Sequence, residues 1–412
     1  MPHGAVIAPD GRIWVGYYAY TDTLGMPNDT IPIKPIYVYN PDGTQADFSP
    51  IQVLSWADGR QDTMWNGCRG VALDNNGNIL YSAYNDIWQI NYQTGEPMGA
   101  LYDFGGSITE AAVTADGYMF VTRVVPGGDP IWVFDISLGL PSTPTVAADW
   151  TDGLVNTIND GTNNVISRSV LVTSGGTDLY HGKIYGGTHN NGVIHYHSAD
   201  GPEGTWQVED ILYREVMWGQ ILDWGPDSTI WVGSYWDVDE GDFTGYYALD
   251  PGAHYQIVNS IGTGQPFGVP YGSAIAGGDT IRAPRGVAFT DDGQTAYVCD
   301  FDGGRVSKFV YSTVSVDEEP VANVPLEFQL HQNYPNPFNP TTKISFDLFK
   351  EGHVKLTVYD VLGREVAVLV DKVLPVGQHV VDFDAHGLSS GMYIYTLQTD
   401  HKLVSKRMTL LK

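Results

Sequence analysis

The chain is poor in cysteine, in basic residues and in long apolar runs. Its 412 residues include only two cysteines, Cys68 and Cys299. They are far apart and lack Cys-x-x-Cys spacing, which argues against a disulfide framework and against thiolate metal or redox chemistry. Two free, buried thiols are the expectation, since free cysteine is among the most buried residue types. Lys and Arg number 21 against 48 Asp and Glu, a formal net charge of −27. That balance excludes nucleic acid as a partner, because phosphate backbones are held by clustered cations. No run approaches the ~18 apolar residues of a membrane-crossing helix. Met1-Pro2-His3 runs straight into a strand-like stretch, so no leader peptide is expected within these residues. A secreted protein starts with a leader, so for a secreted chain the expectation is a native N-terminus upstream of Met1.

Glycine and aromatics are plentiful. There are 48 glycines, aromatics make up 12% and hydrophobic residues 42%, which suits an all-β protein with many turns and ordinary cores. The organising stretch is Pro284–Phe309, PRGVAFTDDGQTAYVCDFDGGRVSKF. Its alternation and its β-branched and aromatic residues predict three short strands. The Asp/Gly clusters between them supply turn residues with φ > 0. The same unit recurs as His3–Tyr17 (HGAVIAPDGRIWVGY), Arg69–Tyr84 (RGVALDNNGNILYSAY) and Thr109–Arg123 (TEAAVTADGYMFVTR). It returns again as Arg168–Gly186 (RSVLVTSGGTDLYHGKIYG) and Trp218–Tyr235 (WGQILDWGPDSTIWVGSY). Third strands follow at Pro35–Asn40, Ile87–Tyr92, Pro130–Ile136, Val193–His197 and Thr244–Leu249, then a looser fourth. A repeat of roughly 40–60 residues marks a radial array, and four strands per unit mark propeller blades. Six blades are predicted over residues 1–312.

The repeated G-[VA]-A-x-x-x-D-G-x-[IT]-x-[VY] pattern resembles the NHL and streptogramin-lyase-like propellers over about three quarters of the chain. The resemblance implies a fold and says little of activity, since that scaffold carries binders, hydrolases and lyases.

Residues 313–325, TVSVDEEPVANVP, are acidic, carry two prolines and hold no period, as an extended linker does. Beyond them, residues 326–412 predict a β-sandwich with strands at Thr342–Leu348, His353–Tyr359, Glu365–Val370, Gly377–Asp382, Gly391–Thr399 and Lys402–Leu411. The runs Asn333-Tyr334-Pro335-Asn336-Pro337-Phe338-Asn339-Pro340, Tyr359-Asp360 with Gly363-Arg364-Glu365, and Gly387–Tyr393 resemble the C-terminal sorting domain of type IX secretion cargo. The basic end Lys406–Lys412 belongs to the same likeness. Part of it is shared with the Ig-like domain of flagellar hook-capping proteins. The resemblance implies an Ig-like sandwich, contact with the secretion machinery, export across an outer membrane, and surface attachment or release from a Gram-negative bacterium. On its residues alone, the proline-rich run is a rigid edge-strand cap, because proline cannot sit in a central ladder.

The turns joining first and second strands, such as Pro9-Asp10-Gly11, Asn75-Asn76-Gly77, Ala115-Asp116-Gly117 and Asp291-Asp292-Gly293, are short and uniform. The other face is predicted to carry long loops at Tyr18–Lys34, Val124–Asp129, Trp236–Phe243, Ser55–Gly67, Trp150–Ile166 and Gly262–Ala283. Loops longer than ~12 residues are often functional, so a site is expected there, at the mouth of the central channel. The residue entering each innermost strand reads His3, Arg69, Thr109, Arg168, Trp218 and Arg285. Three arginines on alternate blades suit carboxylate, sulfate or phosphate, and Tyr17, Trp65, Tyr84, Tyr235 and Trp236 could stack on a sugar. The competing reading pairs each arginine with a neighbouring acid or carbonyl.

Asp237-Val238-Asp239-Glu240-Gly241-Asp242 is a carboxylate cluster of the kind calcium favours. Its glycine is one place early for an EF-hand and Ala248 stands where the last ligand would be, so a solvated acidic loop competes with calcium through Asp237, Asp239 and Asp242. His189, His195 and His197 are too few for a zinc site without further ligands. The last blade lacks the histidine a streptogramin-lyase-like enzyme would need, lactonase-type acidic ligands are absent from the entry positions, and no Ser-His-Asp order stands out. The expected function is therefore a secreted, cell-surface propeller that binds an anionic glycan or protein rather than catalysing a reaction, with the question of enzyme activity left open. The alternatives are an extracellular polysaccharide lyase or hydrolase, and a structural subunit of a surface layer or fibre. An open edge on the last blade is expected to invite self-association.

Overall fold

The computed structural model describes residues 1–19, 22–26, 29–124, 129–159, 166–184, 192–213, 217–234, 245–261, 281, 283–310, 329–348, 352–361, 363–375, 377–399 and 403–411. The chain divides into two compact units, Met1–Val314 and Ser315–Lys412. The linker expected at 313–325 lies outside the described residues. Among the described residues, regular structure is all β apart from two short 3-10 turns, Ala147–Asp149 and Pro251–Ala253.

The first unit is a ring of six antiparallel sheets. Blade one orders Pro2–Ile7, Ile13–Tyr17 and Tyr37–Tyr39 from the axis outward. Blade two orders Cys68–Leu73, Ile79–Ala83, Asp86–Ile90 and Pro97–Leu101. Blade three has Ile108–Val113, Tyr118–Arg123, Ile131–Asp135 and Leu154–Ile158, and blade four Ile166–Val172, Asp178–Ile184, Gly192–His197 and Gln207–Leu212. Blade five has Gly219–Trp224, Ile230–Ser234, Gly245–Asp250 and Gln256–Ile261, and blade six has Pro284–Phe289, Thr295–Asp300 and Arg305–Val310. Each innermost strand touches those of both neighbouring blades, and the first and last touch each other, so the ring is closed.

The turns between first and second strands are repeats of one device. The amides of Gly11, Gly77, Gly117, Gly176 and Gly293 donate to the carbonyls of Ala8, Asp74, Thr114, Thr173 and Thr290, three residues back. All five glycines have positive φ, the conformation that favours glycine. Apolar strand residues are buried between blades. Trp14, Val38, Val71, Tyr81 and Trp88 fill the space between blades one and two; Ala5, Ile13, Val15 and Cys299 fill that between six and one. Each fully buried large side chain of this kind contributes roughly 1.5–3 kcal/mol.

Some stretches read as loops are ordered. The segment Tyr18–Lys34 contains the paired strands Asp22–Met26 and Asp29–Ile33. Within Ser55–Gly67, Gln61–Thr63 pairs back onto Val53–Ser55. Trp150–Ile166 contains the outermost strand of blade three. These strands are only three to five residues long, too short for a period-2 pattern to stand out. Trp236–Phe243 lies outside the described residues, as do 125–128 of Val124–Asp129 and nearly all of Gly262–Ala283.

The second unit is a two-sheet sandwich. One sheet orders Gln329–Leu330, Thr341–Leu348 and Gly377–Asp384; the other orders Glu365–Leu374, Gly352–Asp360, Gly391–Gln398 and Leu403–Leu410. Phe338, Ile344, Phe346, Leu356, Val358, Tyr395 and Leu410 form its core. Asn333, buried, donates to the carbonyl of Pro335 and to Thr342 Oγ1, which ties the proline-rich entry to the strand after it.

Candidate functional site at the channel mouth

Every innermost strand begins with an irregularity in pairing. Register shifts fall between Pro2 and Ala5, Cys68 and Gly70, Ile108 and Ala111, Ser167 and Ser169, Gly219 and Ile221, and Pro284 and Val287. A bulge of this kind re-aims the extra residue. The residues thus displaced include His3, Arg69, Thr109, Arg168, Gln220 and Arg285. In blade five this position belongs to Gln220, where the sequence pattern suggested Trp218: Gly219 pairs with Ser234 ahead of the shift, and Trp218 precedes it. Trp218 is half-buried, with its amide donating to Ser234 Oγ at 3.1 Å.

The three arginines converge electrostatically. Arg285, Arg69 and Arg168 all act on His3, and Arg69 acts on Arg168 and on Lys34. Burial, then the charges of Arg285, Arg69 and Arg168, hold the His3 imidazole well below its ordinary range, so it is neutral. Burial and Arg69 together lower Arg168 and Lys34. The Nε atoms of Arg69 and Arg168 are buried and have no hydrogen-bond partner among the described residues. Arg285 donates a short hydrogen bond to Gln220 Oε1.

Two aromatic rings stand among these cations. The Arg69 guanidinium lies 5.0 Å from the Tyr18 ring centre and Lys34 Nζ 5.9 Å from it. The Arg285 guanidinium lies 5.3 Å from the Phe301 ring. His3 meets Phe301 edge-on at 5.8 Å and Tyr18 at 6.0 Å. Tyr18, Lys34, Gln220 and Phe301 were not picked out by the sequence. They sit at strand ends and in connecting segments, where no alternation marks a residue.

The remaining aromatic candidates lie elsewhere. Tyr17 packs edge-on against Tyr37 at 5.2 Å, among the residues between blades one and six. Burial and the neighbouring Tyr39 push its hydroxyl pKa up. Trp65 is exposed and Tyr84 half-exposed, the latter at positive φ in its turn. No described contact joins either to the arginines. Tyr235, Trp236, Asp237, Asp239 and Asp242 lie outside the described residues, and so does His189. His195 Nε2 and His197 Nδ1 both meet Asp178 Oδ1, at 2.9 and 3.1 Å. Burial alone would raise Asp178, but hydrogen bonds from His195, Thr177 and His197 outweigh it and hold the carboxyl low.

The innermost strands also carry two buried acids, Glu110 and Asp223. Burial and the nearby Asp223 raise Glu110 well above its ordinary range, and burial raises Asp223 to about 7. Asp223 Oδ2 accepts from the Val287 amide at 3.2 Å, while Glu110 Oε2 is buried without a partner among the described residues. Cys68 and Cys299 are free and buried. Burial raises both thiols, Cys299 to about 12, which leaves them unreactive.

Residues 332–410 match the family described as the secretion system C-terminal sorting domain. No curated protein matches the chain in sequence. Among solved structures, the chain is similar to PorZ, an essential bacterial surface component of the type-IX secretion system of Porphyromonas gingivalis. Identity is 15% and the TM-score 0.42, over 100% of this chain and 51% of that one, so the chain spans about half its length. It is also similar to a Kuenenia stuttgartiensis hydrazine synthase chain (13% identity, TM-score 0.44, 76% of this chain and 84% of that one). A chain of a mitotic checkpoint complex is similar at 9% identity and TM-score 0.43, over 75% of this chain and 86% of that one. The first unit is a β-propeller, and residues 332–410 match a secretion system C-terminal sorting domain, which indicates export to the outer cell surface or the extracellular space.

Proposed function

We propose that the propeller is a surface-displayed binding module for an anionic glycan, or a protein bearing similar groups, and that the channel mouth is its site. The observation that supports this most is that the buried Nε atoms of Arg69 and of Arg168 have no hydrogen-bond partner among the described residues, in a cluster of like charges. Like charges brought together out of water repel unless an anion compensates them. A sulfate or uronate carboxylate would satisfy guanidinium donors directly. The rings of Tyr18 and Phe301 would take the apolar face of the sugar.

In this reading the propeller spans 1–312, with a linker at 313–325 and an Ig-like attachment domain at 326–412. The repeats are NHL-like, and Arg305–Val310, the outermost strand of its sheet among the described residues, offers a place for self-association. Binding of the full chain to sulfated and uronic-acid oligosaccharides, with neutral oligosaccharides of equal length as controls, tests the site. Selective retention of the charged set is the expected result. Equal or absent binding to both sets would refute it.

A further inference from the structure

We infer that His3 is a conditional cation of the channel mouth: it takes up a proton when an anionic group enters among Arg69, Arg168 and Arg285, so that anion binding and protonation are coupled. The inference rests on the anion-binding reading above and adds its regulation.

The geometry holds His3 where such coupling is strong. Its backbone is pinned, because the Cys68 thiol donates to the His3 carbonyl at 2.9 Å. Its ring stands between Phe301 and Tyr18. Nδ1 is buried and receives no hydrogen bond from another described residue. Among the described residues, the groups near it come from several elements, and the Met1 amine, lowered by burial, lies on its own strand's approach. Blade two contributes Arg69 and the neutral Cys68, blade four Arg168, and blade six Arg285 together with the neutral Cys299. Lys34 and Tyr18, from the segment after the second strand of blade one, flank Arg69. Asp300 follows Cys299, but its Oδ1 accepts from the amides of Ala283 and Gly303, both at 3.1 Å, and Arg305 stands 3.7 Å from Oδ2. Glu110 and Asp223 oppose each other. The charges acting most on His3 are therefore all positive.

A bound anion reverses that field. Its charge offsets the guanidiniums, and its oxygens offer an acceptor to an imidazolium N–H. Both effects favour the protonated ring. By linkage, a complex that holds one more proton than its parts tightens as pH falls. The gain is at most tenfold per pH unit. It is confined to the window between the His3 pKa of the free protein, which lies well below the ordinary histidine value, and that of the complex.

The probe is a sulfated oligosaccharide, whose charge is constant across about pH 5 to 8, so any proton taken up comes to the protein. Calorimetric titration of the full chain in two buffers of different ionisation heat reads proton uptake directly. Imidazole NMR shifts with and without the probe identify which histidine gains it. The expected results are affinity that rises as pH falls, buffer-dependent heat, and a shift at His3. In His3→Gln both the pH dependence and the buffer-dependent heat are lost. Binding that is independent of pH, or uptake that persists in His3→Gln, overturns the coupling and leaves the anion site standing. No binding at any pH overturns both.

Discussion

A Cβ built on Gly286 would lie 2.9 Å from the Cα of Gly4 and 3.0 Å from the amide nitrogen of Ala5. This is where the last innermost strand meets the first, and it closes the ring. Gly286 has φ +147° and Gly4 +122°, backbone that residues with a side chain rarely adopt. The contact is backbone against backbone, so neither side can yield by turning a side chain. Replacing Gly286 with Ala is expected to destabilise the propeller by about 1–3 kcal/mol, the usual cost of overpacking. Gly175→Ala, in open surroundings, should stay within about 0.5 kcal/mol. Denaturant unfolding of both variants checks this, and equal effects would contradict a seam closed by bare backbone.

The buried acids make stability depend on pH. Asp223 titrates near 7 in the folded chain against 3.8 for an ordinary Asp, so the native state keeps a proton that the unfolded chain has released. A folded pKa that is raised means stability falls as pH rises from about 4 to about 7 and stays low above that window. The slope from one such group is at most about 1.4 kcal/mol per pH unit. Asp223→Asn keeps an oxygen for the Val287 amide and removes the titration. Its melting temperature should match the native chain in acid and exceed it near neutral pH. Identical profiles would show that Asp223 does not titrate in this range.

The two units make the sorting role separable from the propeller. A chain ending at Val314 retains every blade strand. Expressed in a host with the type IX machinery, it is expected to fold and to remain inside the cell, while the full chain reaches the surface. Fractionation with a propeller antibody reads this out. Normal appearance of the truncated chain outside would contradict the sorting role of residues 332–410.

Much of this architecture is legible in the sequence because each blade repeats the same solution to the same problem. Asp-Gly or Asn-Gly turns in blades one, two, three and six, and short apolar second strands such as ILYSA and IWVGS, mark the innermost pairs. In blade five the sequence pattern points to the neighbouring residue for a physical reason. Aligning WGQIL with RGVAL on the shared glycine equates Trp218 with Arg69, but pairing decides the register. Gly219 is still paired with Ser234, and the displaced residue is Gln220. A one-residue bulge leaves no trace in hydrophobic pattern. Tyr18 and Tyr17 show the same limit: neighbours in sequence point apart, one towards Arg69 and the other towards Tyr37. Which of the two faces the axis depends on where the strand stops. Lys34 returns to Tyr18 only because a hairpin, Asp22–Ile33, folds the chain back.

The arginine cluster is the central claim, and the double variant Arg69→Gln/Arg285→Gln tests it most directly. Each charge-assisted hydrogen bond to a bound anion is worth about 1.5–3 kcal/mol, and about 1.4 kcal/mol is a factor of ten in affinity. Removing two guanidiniums should weaken binding of a sulfated or uronic-acid oligosaccharide by roughly a hundredfold or more. The melting temperature should change little, because the lost contacts to Gln220 and the aromatic rings are offset by relief of repulsion among like charges. Unchanged affinity in the double variant, or loss of the folded propeller, would contradict the account and assign the arginines to structure.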